Sequence, residues 1–287
     1  MPNGKVQTSE HNMKPTTYEP YWKLSRKPFS YRAGCNEMFA SRTLQSASLR
    51  LRYCFDNNAS AALLLGVSGV GKTSLLQQLR DRDERLKPFA HVIFPTLSYN
   101  ELARVVVAEL SDADGNSVDT MDVLMQAAVR AIAAASEQNR HCVVAFDEAH
   151  LLSTEALNQV VLPLLNLGES DHRISMTVVL CGQPSLASHV ARNAQLRERI
   201  AVTATLEGFT EEETRQYIHS RLHFAGATEP IFTDDAIRSV FELSGGNPRR
   251  INRLCDMALL VGSADQLESI SGPDIEALSC ELLPAAA

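Results

Sequence analysis

Short, mostly apolar runs alternate along the chain with longer stretches in which apolar positions recur every three or four residues. The runs are Ala61-Ala62-Leu63-Leu64-Leu65, His91-Val92-Ile93-Phe94-Pro95, Cys142-Val143-Val144-Ala145-Phe146, Met176-Thr177-Val178-Val179-Leu180-Cys181 and Ala201-Val202-Thr203-Ala204-Thr205-Leu206. They read as strands of a parallel sheet, because strands buried on both faces lose the alternation of half-exposed ones. Helical patterns fill the gaps. Ser41 caps a helix through about Phe55, Ser74-Leu75-Leu76-Gln77-Gln78-Leu79 starts another, and Ser98 caps one over residues 99–110. Asp119 caps an Ala-, Met- and Val-rich helix ending near Gln138, after a loop marked by Asp112, Asp114, Gly115 and Asn116. Alternating strand and helix require a parallel sheet covered on both sides, an α/β fold. From about Gly208 the strands stop. Helices are expected over 210–224, 233–243, 247–262 and 272–281, with Thr210, Thr233 and Asn247 as caps and a bend at Ser244-Gly245-Gly246.

That pattern divides the chain into a polar, flexible tail (1–20), an α/β domain (21–207) and a helical lid (208–287). Tyr21-Trp22-Lys23-Leu24-Ser25-Arg26-Lys27-Pro28-Phe29 is expected to dock on the α/β domain. Between residues 21 and 52 the basic side chains are Lys23, Arg26, Lys27, Arg32, Arg42, Arg50 and Arg52, against Glu37 alone. This cluster suits nucleic acid or another anionic partner, and it suits equally a solvated face near a phosphate site. The overall charge of −7 argues against a surface coated for nucleic acid. Six cysteines (Cys35, Cys54, Cys142, Cys181, Cys255, Cys280) form no C-x-x-C pair and read as reduced core thiols. No apolar run approaches the ~18 residues of a membrane helix, and the N-terminus lacks a signal peptide's apolar core. A cytoplasmic protein without membrane insertion is expected.

Two constellations carry chemistry. Gly66-Val67-Ser68-Gly69-Val70-Gly71-Lys72-Thr73 is G-x-x-x-x-G-K-[ST], set between a strand and a helix that begins with Ser74. Glycines let successive backbone N–H groups turn toward phosphate oxygens, and the helix N-terminus adds its unpaired N–H groups and dipole. Lys72 then reaches the β- and γ-phosphates, and the Thr73 hydroxyl ligates Mg²⁺. The second constellation, about 75 residues on, is Asp147-Glu148-Ala149-His150 at the end of an apolar strand. Asp147 suits Mg²⁺ held through its water shell, and Glu148 suits the orientation and activation of an attacking water. The strand 91–95 intervenes between the two, so the Asp147 strand is not the spatial neighbour of the P-loop strand. The run 176–181 can insert between them, carrying Gln183 to the γ-phosphate position, with 201–206 at the sheet edge. ATP and Mg²⁺ are the expected ligands.

Through these residues the chain resembles the AAA+ ATPases, specifically the ExeA/GspA-like branch with an origin-recognition-type ATPase domain. The matching stretches are Pro28-Phe29, the P-loop, Asp147-Glu148-Ala149 with Leu151-Leu152, Gly182-Gln183-Pro184 and Leu196-Arg197-Glu198-Arg199-Ile200. They continue with Leu206-x-x-Phe209, Glu212-Glu213-Thr214-Arg215-Gln216-Tyr217-Ile218 and Ser244-Gly245-Gly246-Asn247-Pro248-Arg249-Arg250-Ile251-Asn252. The resemblance implies a P-loop NTPase of AAA+ type, with a five-stranded parallel sheet in the order 5-1-4-3-2 followed by a helical lid. It implies that Gln183 is sensor 1, Arg249 sensor 2, and Arg197 or Arg199 an arginine finger acting in a homo-oligomeric ring or filament. Alternatives stay open: Gln183 caps the next helix, Arg199 pairs with Glu198 or Glu207, and Arg250 lies on the lid surface.

The chain departs from the family in two places. ExeA-like secretion ATPases continue into a membrane segment and a periplasmic part, whereas this sequence stops at Pro284-Ala285-Ala286-Ala287, so a role in envelope secretion is not expected. His150 stands where this branch often has Gln. Asp-Glu-Ala-His also occurs in helicases, but the other helicase motifs are missing. The expected function is an ATP-driven switch or assembly factor acting on a macromolecular partner. The alternative is an ATPase associated with duplex DNA, similar to transposition regulators of the TnsC, TniB and MuB kind; a nucleotide-binding scaffold without turnover conflicts with the Asp147/Glu148 pair.

Overall fold

The computed structural model describes residues 17–30, 39–93, 96–111, 120–171 and 173–282. They fall into two compact units. One comprises the described residues among Arg32–Phe209 together with Asn247–Arg249; the other comprises those before Arg32 together with Thr210–Gly246 and the residues from Arg250 onward.

The first unit is built on five parallel strands: β1 (Ala61–Leu65), β2 (Phe89–Val92), β3 (Cys142–Phe146), β4 (Met176–Gly182) and β5 (Ile200–Thr205). Their order is β2-β3-β4-β1-β5, the expected order read from the other edge. β1 to β4 are buried at every position, which is why their sequences do not alternate. The side chains nonetheless divide by parity. Ala61, Leu63, Leu65, Val144, Phe146, Val178 and Leu180 pack with helices α3 (Tyr99–Ser111), α4 (Met121–Glu137) and α6 (Leu162–Ser170). Ala62, Leu64, Val143, Ala145, Val179 and Cys181 pack on the other face with α1 (Arg42–Asp56) and α2 (Lys72–Arg82).

Local chemistry sets the helix starts. Ser41 accepts from Leu44 N and caps α1. At α3, Ser98 N donates to Glu101 and Glu101 N donates to the Ser98 hydroxyl, a reciprocal capping pair. α4 starts after Thr120; the expected cap, Asp119, and the loop residues 112–116 lie outside the described residues. β2 corrects the expected 91–95: it occupies Phe89–Val92, because Phe89 and Ala90 pair with Val143 and Val144. Phe94 and Pro95 are outside the described residues.

α5 (Thr154–Ala156), a π turn (Leu157–Val161) and α6 follow one another without a break. Pro163, in the first turn of α6, has no N–H to give an α-helical bond back to residue 159, which accounts for the widened turn. α7 (Ser185–Arg192) and α8 (Ala194–Arg197) connect β4 to β5. Cys54, Cys142, Cys181 and Cys255 are free and buried. Burial pushes the Cys142 thiol up to about 12, as expected of inert core thiols.

The second unit holds α9 (Glu211–Phe224), α10 (Asp234–Ser244), most of α11 (Pro248–Ala264) and α12 (Gly272–Leu282). Thr210 and Glu213 form a complete capping box, and Thr233 caps α10. Here the packing corrects the expected boundaries. Residues 21–29 belong with these helices, and so do Thr17 to Pro20 of the expected tail; residues 1–16 lie outside the described residues. The reason is aromatic anchoring. Tyr18 and Phe29 are fully buried, the Tyr18 hydroxyl bonds Asp256, and Trp22 Nε1 donates to Leu259 O at 2.8 Å. The buried Arg221 guanidinium donates to Pro28 O at 2.6 Å and to Ser30 O at 3.2 Å.

Candidate functional site

Parallel strands in register bring the ends of β1, β3 and β4 to one edge. Leu65 pairs with Gly182, and Phe146 with Leu180. Residues Gly66, Asp147 and Gln183 therefore leave the sheet side by side, where open α/β sheets place their ligand sites.

The loop after β1 turns on Gly69 (φ 88°) and Gly71 (φ 104°), the latter the N-cap of α2. Both lie in the left-handed region that a side chain disfavours. A Cβ on Gly69 would also stand 2.7 Å from Asn247 Oδ1 and 2.8 Å from Arg249 Cβ. Val67, Ser68, Thr73 and Ser74 are exposed, while Val70 is buried beneath the loop. Lys72 is 5% exposed and folds back over the loop, donating to Gly66 O at 2.9 Å and Val67 O at 3.2 Å. Its ammonium is thus anchored on carbonyls inside the curl that the glycines make.

Thr73 Oγ1 donates to Asp147 Oδ2 at 2.6 Å, 74 residues apart in sequence. Asp147 is 3% exposed. Burial pushes its carboxyl up, but hydrogen bonds from His91, Thr73, Cys181 and the Glu148 N–H outweigh that effect and hold it down at about 2. It is an anion at any physiological pH. His91 Nε2 stands 3.4 Å from Asp147 Oδ2. The sequence marks His91 only as a strand residue and Cys181 only as a core thiol; the pairing of β3 with both neighbours makes them partners of this carboxylate.

Glu148 has φ 50° and ψ 36°, an uncommon conformation for a residue with a side chain. It heads a single 3₁₀ turn, Ala149–Leu151, and His150 Nδ1 lies 3.4 Å from its Oε2. Gln183 is exposed at the end of β4, and its backbone N–H points at His150 Nδ1, 3.5 Å away. Arg249 Nη1 donates to Ser68 Oγ at 3.2 Å, and Asn247 Nδ2 to Ser68 O at 2.8 Å. The structure therefore gathers Lys72, Thr73, Asp147, Glu148, Gln183 and Arg249 around the loop.

The two remaining arginines differ. Arg199 is tied down: its Nε is 3.1 Å from both Glu169 oxygens, one Nη donates to Asn166 Oδ1 at 2.8 Å and the other to Gln195 O at 3.0 Å. Neither Glu198 nor Glu207 is its partner. Arg197 ends α8 exposed, and no hydrogen bond or ion pair to another described residue holds it. The basic cluster of residues 21–52 splits between the units. Arg26 donates to Phe224 O, Arg50 to Thr203 O, and Arg52 lies 3.8 Å from Asp83; Arg32 and Glu37 are outside the described residues.

A family model described as an AAA domain matches residues 56–190. General secretion pathway protein A of Aeromonas hydrophila is 31% identical over 274 residues, 92% of this chain. The chain spans about half (48%) of the length of that curated relative. Among solved structures, Cdc6p from Pyrobaculum aerophilum is similar with a TM-score of 0.69 and 16% identity, covering 91% of this chain and 72% of that one. The Aeropyrum pernix ORC1 protein, solved in complex with DNA, gives 0.68 and 15%, covering 91% and 70%. The Thermotoga maritima RuvB branch migration motor gives 0.57 and 17%, covering 90% and 72%. At these identities the likeness shows the fold. Among the described residues, no helix is long and apolar enough to cross a membrane. The strand order, the AAA domain matched over residues 56–190 and the solved neighbours show that the chain carries the P-loop fold of AAA+ type.

Proposed function

We propose that the chain is a Mg²⁺-dependent ATP hydrolase that works as an ATP-driven switch or assembly factor on a macromolecular partner. One observation carries the reading: the Thr73 hydroxyl and the ionised Asp147 carboxylate meet at 2.6 Å beside Lys72 and Glu148. A hard cation that keeps most of its water needs only one or two such oxygens plus substrate phosphates. The site fits that demand, and among the described residues no group of three His, Cys, Asp or Glu side chains is arranged to hold a metal ion. Thr73 and Asp147 would hold Mg²⁺, which when bound supplies positive charge against the charge that develops on the phosphoryl group.

The chain's own residues do the rest. Backbone N–H groups from Gly66 to Ser74 receive the phosphates, and Lys72 leaves its carbonyls for the β- and γ-oxygens. Glu148 takes a proton from the water that attacks phosphorus; the new P–O bond forms as the bond to the β-phosphate oxygen breaks, releasing ADP and phosphate. Gln183 and Arg249 contact the γ-phosphate, so its loss is felt at β4 and at the start of α11. Arg197, exposed and unpaired, acts on a neighbouring copy in a ring or filament.

A second reading, a duplex-DNA partner, is favoured by α1, which exposes Arg42, Arg50 and Tyr53, and by a fold neighbour solved on DNA. ATP-dependent retention on duplex DNA that weakens steeply across a salt series supports it; salt-independent or absent retention removes it.

The hydrolysis reading is tested by Lys72→Ala and Glu148→Gln. Lys72→Ala should lose turnover. Glu148→Gln should retain Mg²⁺·ATP and release phosphate at least ~10²-fold more slowly, as when a general base is removed. Parent-rate turnover in either variant overturns the corresponding role.

A further inference from the structure

His150 has no part in the chemistry above, yet its Nδ1 stands beside two groups that do. Its side chain is 11% exposed, against 37% for that of Glu148. The left-handed Glu148 and the single 3₁₀ turn after it bring the imidazole back over the glutamate, so that Nδ1 lies 3.4 Å from Oε2. The same nitrogen is 3.5 Å from the Gln183 N–H. Gly182 makes this approach possible: a Cβ there would stand 3.2 Å from His150 Nδ1 and 2.9 Å from Leu186 Cδ2.

The two partners make opposite demands. A backbone N–H only donates, and an ionised carboxylate only accepts. An Nδ1 that carries hydrogen bonds Glu148 and leaves Gln183 N without a partner. An Nδ1 that presents its lone pair accepts from Gln183 and repels the carboxylate. One atom cannot serve both at once.

We propose that His150 is a positioning residue whose Nδ1 exchanges between Glu148 and the Gln183 backbone, coupling the end of β4 to the placement of the water-activating carboxylate. The proposal rests on the reading of Glu148 as the base. With Nδ1 on Glu148, the carboxylate is parked on its own turn. When the end of β4 draws Nδ1 to the Gln183 N–H, Glu148 is released toward the water. Nucleotide contact at Gln183 and activation of the water thus become one event.

The test compares the full-length parent with His150→Ala, His150→Asn, Glu148→Gln and the His150→Ala/Glu148→Gln double variant. Asparagine places an amide where Nδ1 stands and can donate or accept. His150→Ala removes the lone pair that turns the released carboxylate toward the water, so it should lower kcat roughly 10-fold with KM within about twofold, and His150→Asn should recover most of the loss. In the Glu148→Gln background, His150→Ala should cost nothing further, because the residue acts through Glu148. Amide hydrogen exchange at Gln183, read without nucleotide, should quicken in His150→Ala and slow again in His150→Asn. An unchanged kcat in His150→Ala, multiplicative losses in the double variant, or unchanged Gln183 exchange overturns the proposal. Parent-rate turnover in Glu148→Gln would instead overturn the assignment of the base and leave the Gln183 exchange result standing.

Discussion

Lowering the pH from 7 to 4 should cost the sheet unit about 3 kcal/mol through one imidazole. His141, just before β3, is 7% exposed. Nε2 lies 2.9 Å from Thr177 Oγ1, and Nδ1 lies 2.8 Å from Ser175 Oγ and 3.1 Å from Asn58 Oδ1. The Thr177 hydroxyl donates to Ala59 O at 2.7 Å, and the Ser175 hydroxyl donates to Asn58 Oδ1 at 2.6 Å. Burial holds the ring's pKa down at about 4, against a small opposing pull from Asp56. The sign follows directly. Between about 6.5 and 4 the unfolded chain takes up a proton that the folded chain refuses, so stability falls as pH falls through that window and levels off below it. About 2.5 units at 1.36 kcal/mol each give about 3 kcal/mol. Asp147, held at about 2, acts in a separate window: its contribution is present above the ordinary carboxylate range and is lost only as pH falls toward 2. The sole tryptophan, Trp22, belongs to the helical unit, so the sheet unit is better followed by hydrogen exchange of β3 and β4 amides between pH 4 and 7.5, corrected for intrinsic rates. Parent and His141→Gln should converge in stability by about 3 kcal/mol toward pH 4. Parallel curves would mean that the Ser175, Asn58 and Thr177 oxygens accept the imidazolium and that burial does not exclude the proton.

Three further outcomes follow from the site. Arg249→Ala should lose discrimination between ATP and ADP more than total affinity, measured by titration with both; an unchanged ratio removes Arg249 as the sensor. Arg197→Ala mixed with Lys72→Ala should regain part of the turnover that each lacks alone, since one supplies a working nucleotide site and the other a finger. Arg199→Ala should instead cost up to ~1 kcal/mol of stability by losing Glu169, so rescue with Arg199→Ala but not Arg197→Ala would reverse the assignment. Gly69→Ala, strained by its φ of 88° and crowded by Asn247 and Arg249, should weaken ATP binding at least ~10-fold; parent affinity would show that the loop tolerates a side chain there.

The strand order was legible because buried parallel strands are written as apolar runs, and because the P-loop and the Asp147 strand are separated by one more strand. The candidate site was legible where a motif encodes it in consecutive residues, as in Gly66–Thr73. What stayed hidden depends on contacts between distant residues. Arg199 and Glu169 are 30 residues apart, and nothing local favours that pair over Glu198. The network at His141 joins Asn58, Ser175 and Thr177 through three strand ends. The start of β2 was misplaced because pairing with β3, and not hydropathy alone, decides where it begins. The placement of Trp22 was misjudged for the same reason: an aromatic among charges announces burial but not the surface that buries it.

The aromatic anchoring of residues 17–30 also has a consequence for synthesis. All five strands have been made by Thr205, so the sheet can close while the chain is still growing. Trp22 waits longer: the carbonyl that receives its indole N–H lies 237 residues downstream. At ribosomal speeds that is roughly 10–50 s, during which Tyr18, Trp22 and Phe29 trail from the nascent chain without their partners. The sheet unit is in effect an insertion within the helical one, and the first large aromatics to be made are among the last to be covered.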